Sequence, residues 1–326
     1  VPLLAACGAT PPAPPPAART MPSPHPPTSA AAVLLSPQAA PSFAGIETVF
    51  VIVLENHNWA DITGNPAAPY LNGILLPQAA HAERYFNPPG VHPSLPNYLW
   101  LEAGRDFGIA DDRPPSVHHQ PTADHLVAQL DRAGIAWKSY QEGIDSARCP
   151  LASVGRYDPK HNPMVYFDGV TGANNPRDAG CIAHVRPYGE LAADLRADTV
   201  ARYNFITPDL CHEMHDPCFP TLNAIKQGDD WLAAAVPPIL ASPAYRRGGA
   251  LFITWDEGEG GDGPIGMVVL SPRAKGHGYQ NTIPYTHSAL LATLQRSVGV
   301  GPLLGDAATA TDLRDLFATP APPSAP

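Results

Sequence analysis

The sequence predicts an α/β fold, a mostly parallel central sheet with helices on both faces. Apolar runs of strand length alternate along the chain with segments of helical period, the rhythm of βαβ units. Two of the runs, Val49-Phe50-Val51-Ile52-Val53-Leu54 and Leu251-Phe252-Ile253-Thr254-Trp255, are apolar but for Thr254, as strands buried on both faces are. Each leads straight into carboxylates, Glu55-Asn56 after the first and Asp256-Glu257 after the second. In open α/β sheets the ligand crevice lies beyond the carboxyl ends of the strands, so both clusters point at one place.

Taken in order, strands are expected at 48–54, 135–140, 203–207, 250–255 and 266–270, and helices at 123–133, 188–197, 229–240 and 287–298. Thr122 and Thr286 stand where helix N-caps belong. Pro96 fits the first turn of a further helix that starts near Ser94 and runs toward Glu102. The stretch 143–187 has no clear period and is expected to pass over the sheet edge. No internal repeat is present.

The termini read differently. Leu4-Ala5-Ala6-Cys7-Gly8 has the small-residue pattern of a bacterial lipoprotein processing site, with Cys7 as the lipid-bearing residue. Only a few residues precede it, so the charged start of a signal peptide is expected to be missing. Residues 1–7 are thus read as a signal remnant. Residues 8–44, rich in Pro and Ala, are read as a disordered spacer that holds the domain off a membrane surface, 45–318 as the domain, and 319–326 as a disordered tail. An exported cell-envelope protein is the expectation. Cys149, Cys181, Cys211 and Cys218 then form two disulfides. Three pairings are open, and loop closure favours Cys149–Cys181 with Cys211–Cys218. A zinc cluster of Cys211, His212, His215 and Cys218 is the rival, against which both the spacing and an oxidising compartment argue.

A formal charge of −10 speaks against nucleic-acid binding and agrees with metal ligation. Three carboxylates and a carboxamide gathered at the strand ends repel one another unless a cation sits between them, and oxygen-rich sites suit hard divalent metals. Ser94, in His92-Pro93-Ser94-Leu95-Pro96-Asn97-Tyr98, is the candidate nucleophile: a helix N-terminus favours both an alkoxide and a bound phosphate. A plain N-cap serine is the alternative. The acidic loop Gly258-Glu259-Gly260-Gly261-Asp262-Gly263 lacks the bidentate Glu of a calcium loop and reads as a solvated loop.

The order of Glu55-Asn56, His92-Pro93-Ser94, Lys160-His161-Asn162-Pro163, Met214-His215-Asp216, Trp255-Asp256-Glu257 and Thr286-His287-Ser288 resembles the bacterial phosphoesterase family of acid phosphatases and phospholipases C. The resemblance spans about 48–299 and is greater to the short secreted acid phosphatases, some of which act on phosphoinositides. It implies an alkaline-phosphatase-like fold and one divalent metal held by Glu55, Asn56, Asp256 and Glu257, with Ser94 completing the shell. Ser94 would attack phosphorus and form a phosphoserine. His161 and His215 match phosphate-contacting histidines, and Asp216 stands where it can orient His215. Asn56, His92 and His287 are further substrate-side candidates, His92 also as support for the metal and His287 as a helix-heading residue that caps or steers.

A metal-dependent acid phosphatase is therefore expected, with a phosphate ester as substrate, a membrane reached through the lipid anchor and no protein partner. A phospholipase C-type phosphodiesterase is the alternative, since the same metal and serine serve both. A non-catalytic surface lipoprotein is a third reading. Sulfatase chemistry needs an Arg where Tyr98 stands, and a lipase-type elbow, Gly-x-Ser-x-Gly, is absent.

Overall fold

The computed structural model describes residues 45–318. The expected lipidation at Cys7, the spacer 8–44 and the tail 319–326 lie outside the described residues. The strands are β1 (Thr48–Leu54), β2 (Ala80–Ala82), β3 (Tyr85–Phe86), β4 (Trp137–Gln141), β5 (Val185–Pro187), β6 (Tyr203–Thr207), β7 (Gly249–Trp255), β8 (Met267–Leu270), β9 (Tyr279–Asn281) and β10 (Tyr285–Thr286). Eight of them form one sheet in the order β5-β4-β6-β1-β7-β8-β2-β9. The two apolar runs take the middle: β1 pairs in parallel with both β6 and β7, and every residue of β1 and β7 is buried. Only β8 runs against its neighbours. The connection 256–266 is too short for the helical crossover that a parallel return requires. The fold is α/β and mostly parallel, as expected.

The longer helices are α1 (Ser94–Ala103), α2 (Leu126–Arg132), α3 (Leu191–Ala197), α4 (Ala224–Ala241) and α5 (His287–Val298). Helix α1 ends at Gly104, left-handed at φ 67°, where a Cβ would stand 2.6 Å from the Leu304 carbonyl oxygen. It packs against α5, and the Trp100 indole donates to Ser288 Oγ at 2.8 Å. Among the described residues no helix is long and apolar enough to cross a membrane.

Several boundaries differ from expectation. Thr122 is no helix cap: its hydroxyl accepts from the Asp124 amide in a local turn, and α2 begins later with His125 capping the Ala128 amide. Thr286 does occupy the N-cap position of α5, without a side-chain cap bond. The segment 188–197 divides into a 3-10 turn, Tyr188–Glu190, followed by α3. Helix α4 starts upstream of the expected 229 because Asn223 caps the Lys226 amide. The stretch 143–187 carries short turns and ends as the edge strand β5. Both disulfides form in the pairing that loop closure favours, Cys149–Cys181 and Cys211–Cys218.

One buried acid gives the fold a pH dependence. Glu102 on α1 is fully buried beside the Tyr203 hydroxyl, and burial raises its carboxyl from 4.5 to about 8. The folded state therefore holds a proton that the unfolded chain releases near 4.5. Stability from this group is complete below about pH 4.5 and is lost as pH rises to about 8, an effect on the order of a few kcal/mol. We expect Tm to fall between about pH 5 and 8, by the amount that proton linkage to one such group requires, and Glu102→Gln to flatten that fall in thermal scans. Parallel pH profiles for the two proteins would assign the effect elsewhere.

Candidate active site

The carboxyl ends of β1 and β7 and the loop after β6 meet. The ladder continues past the strands: the Glu55 amide donates to the Glu213 carbonyl at 2.7 Å, and the Asp256 amide to the Leu54 carbonyl at 2.9 Å. The Asn56 amide then donates to Asp256 Oδ1 at 3.2 Å. Asn56 and Met214 both sit at positive φ, 50° and 80°. Asn tolerates that region, whereas Met does so only when its surroundings hold it there, a form of strain that gathers at functional sites.

Ser94 is the first residue of α1, and Pro93, not Ser94, occupies the N-cap position. The hydroxyl is thus free of a capping role, and it donates to Glu55 Oε2 at 2.9 Å. Glu257 is fixed from the other side, its Oε2 accepting from Asn97 Nδ2 at 2.9 Å and meeting His92 Nδ1 at 2.6 Å. Glu55, Asn56, Ser94, Asp256 and Glu257 therefore come together, although Glu55 and Asp256 lie far apart in sequence.

The histidines divide by position. His215, only partly exposed, places Nδ1 2.8 Å from Asp216 Oδ1. His161 lies 6.0 Å from it, ring to ring, stacked on Tyr98. Its two nitrogens face carboxylates, Nε2 at 3.2 Å from Glu55 Oε1 and Nδ1 at 2.8 Å from Glu213 Oε1. The structure thus sets His161 among the acids rather than toward an open face. His92 bridges Glu257 and Asp262, the latter at 2.7 Å, so the acidic loop acts as a latch on His92. His287 is not on the substrate side. It is fully buried, with Nε2 2.6 Å from the Asp256 carbonyl oxygen and Nδ1 3.1 Å from the Tyr85 hydroxyl. Both ring nitrogens are occupied, which suits it to steer Asp256. Burial lowers its pKa to about 4, so the ring is neutral, donating from Nε2 to the carbonyl and accepting from Tyr85.

The electrostatics are those of a cluster short of positive charge. Burial, then Asp256 and Glu213, raise Glu55 well above the usual carboxylate range, and burial with Asp256 does the same to Glu213. Burial and Glu257 lift Asp256 to about 8. His161 is pushed well down by burial and by Lys160. Buried polar atoms that form no hydrogen bond, even where an oppositely charged group lies close as His161 does to Glu55 and Glu213, collect here: Glu55 Oε1, Asn56 Oδ1, Asp256 Oδ2, both Glu213 carboxylate oxygens and His161 Nε2. Such groups are costly to bury unpaired, and a divalent cation is what this donor set fits. Ligand atoms of Glu55, His161 and Glu213 lie within 4.8 Å of one another.

Glu213 was missed from the sequence. Its signal was its place between Cys211 and His215, in a run otherwise read for cysteines and histidines. The rival zinc cluster is ruled out because Cys211 and Cys218 bond to each other. A smaller group, Glu142, Asp209 and His212, is closed on itself, with His212 Nδ1 3.0 Å from Glu142 Oε2.

Residues 69–301 match the phosphoesterase family. The chain belongs to that family. The match begins after β1, so Glu55 and Asn56 join the site through geometry, by the bonds to Ser94 and Asp256. Over 284 residues the chain is 28% identical to a phosphatidylinositol-3-phosphatase of Mycobacterium tuberculosis, covering 87% of this chain and 86% of that protein. It is 28% identical over 225 residues to a phosphate-repressible acid phosphatase of Penicillium chrysogenum, covering 66% of this chain and 51% of the relative. The chain spans about half the length of the fungal acid phosphatases it matches. Its fold is similar to that of a protein in the alkaline phosphatase superfamily from Vibrio parahaemolyticus, with TM-score 0.55 at 11% identity over 81% of this chain and 69% of that one. The phosphoesterase is a phosphoric ester hydrolase.

Proposed function

We propose that this phosphoesterase is a metal-dependent phosphomonoesterase with an acidic working range, acting through a phosphoserine on Ser94. The observation that carries the reading is the Ser94 hydroxyl donating to Glu55 at 2.9 Å inside a set of buried, unpartnered ligand atoms. Glu55, Asn56, Asp256 and Glu257 hold one divalent ion, with Ser94 beside it and Glu213 and His161 supporting the set. When bound, the ion supplies Lewis acidity that lowers the barrier for a serine to act as nucleophile and offsets charge on phosphoryl oxygens.

Glu55 takes the Ser94 proton as Oγ bonds to phosphorus and the ester P–O bond breaks. His215, oriented by Asp216, gives a proton to the departing alcohol. Water then attacks the phosphoserine, passing a proton to His215 as the P–Oγ bond breaks, phosphate leaves, and Ser94 regains its proton from Glu55. His92 and Asn97 hold Glu257 in place, and His287 steers Asp256. The alcohol part extends past His57 toward an open surface depression of about 600 Å³, lined by Asp61, Asn65, Ile225 and Glu259.

The N-terminal pattern supports an exported protein tethered through Cys7 by the spacer 8–44, with 45–318 as the catalytic domain. The two disulfides suit that compartment.

Assays of p-nitrophenyl phosphate, phosphatidylinositol 3-phosphate and phosphatidylcholine across pH test the reading. Turnover of the two monoesters, greatest below neutrality and with phosphatidylcholine spared, is the expected result. Preferential cleavage of phosphatidylcholine would make the protein a diesterase instead, and no turnover of any of the three would leave a binding lipoprotein.

A further inference from the structure

Four carboxylates, Glu55, Glu213, Asp256 and Glu257, gather around Ser94, and a phosphate ester brings negative charge of its own. A divalent ion offsets two charges and leaves the pocket anionic, so a phosphoryl group needs another positive donor to be held there. Lys160 is placed for that task. Its side chain is 14% exposed, and among the described residues its hydrogen-bond partner is Asp112 Oδ2 at 3.1 Å. An ammonium carries three N–H donors, so two remain.

Two routes tie Lys160 to the nucleophile. Asp112 Oδ1 accepts the backbone N–H of Leu95, the residue after Ser94, at 3.0 Å. The Lys160 charge also acts on Glu55, whose Oε2 receives the Ser94 hydroxyl, and on Glu213 and Glu257. The backbone is set as well. Asp158 caps the 3-10 turn Pro159–His161 by accepting the Lys160 amide at 3.0 Å. A cation fixed this way and mostly buried acts on developing charge far more strongly than a mobile surface lysine does.

We propose that Lys160 is a catalytic residue that donates to non-bridging oxygens of the phosphoryl group, with Asp112 as its positioning residue. The ammonium keeps its proton throughout. The inference rests on the reading of Ser94 as the nucleophile of a phosphomonoesterase.

The test uses the full chain loaded with metal, with p-nitrophenyl phosphate as substrate and inorganic phosphate as the binding probe. Lys160→Met is expected to lower kcat/KM about 100-fold and to raise the phosphate inhibition constant about tenfold or more, with metal content and Tm unchanged. Lys160→Arg, which keeps the charge, restores most of the phosphate affinity, and Asp112→Asn weakens it about tenfold by loosening the ammonium. A Lys160→Met protein within about threefold of wild type in both measures overturns the proposal. So does one that loses metal and phosphate together, because Lys160 then serves only to balance the carboxylates. Should Lys160→Met not fold, Asp112→Asn decides: unchanged phosphate affinity there overturns the proposal. Failure of the phosphomonoesterase reading shows separately, as a wild-type protein that binds phosphate and turns over no monoester.

Discussion

Ser94→Ala lowers kcat/KM on p-nitrophenyl phosphate by about 10⁴-fold or more, while the protein keeps its fold and its metal. The size follows from the role: without Oγ no bond to phosphorus forms, and what remains is whatever the bound ion and its ligands do for a water molecule. The fold is spared because the hydroxyl caps nothing, Pro93 being the N-cap of α1. Wild-type enzyme quenched in acid during turnover should carry one phosphoryl group on the peptide containing Ser94, and the variant none. Turnover that survives the substitution would mean that water attacks directly and that Ser94 only supports Glu55.

Removing the metal abolishes turnover and also destabilises the protein. Glu55, Glu213 and Asp256 are fully buried; burial and then neighbouring carboxylates (Asp256 and Glu213 on Glu55, Asp256 on Glu213, Glu257 on Asp256) raise the pKa of all three, so the demetallated cluster either takes up protons or repels itself. A ligand present at about 1,000 times its Kd stabilises by about 4 kcal/mol, which in a domain of this size is a Tm change of roughly 10 °C. Chelation should therefore lower Tm by that order, with activity tracking metal content in elemental analysis. Asp256→Asn separates the two effects. Above about pH 8, where Asp256 is ionised in the metal-free protein, it removes one of the repelling charges, so there the metal-free variant melts above metal-free wild type while its activity stays near background. Full activity in thoroughly demetallated protein would contradict the metal reading.

Much of the fold was legible because its strands announce themselves. The runs at 49–54 and 250–255 are apolar apart from Thr254, the pattern of strands buried on both faces. The helix at 287–298 was equally plain, with Thr286 before it and Gly299 after it. Helix starts were less legible where capping competes with turns: Thr122 and His125 both offer an acceptor, and the local bond of Thr122 to Asp124 decided the matter. Glu213 and Lys160 were hidden for another reason. A Glu or a Lys is ordinarily a solvated surface residue, and its burial cannot be read until the neighbouring elements are in place.

The parts themselves are written in the chain: two buried central strands that end in carboxylates, a serine at a helix start, histidines between them and cysteines close enough to pair. These are local facts, carried by periodicity and residue type. Which groups face one another was settled only on folding. Assembly of the domain freed the Ser94 hydroxyl for Glu55, turned His287 away toward the Asp256 carbonyl and brought Glu213 and Lys160 into the cluster. Burial and charge pairing depend on the joint position of β1, β6, β7 and α1, and no single segment carries that information.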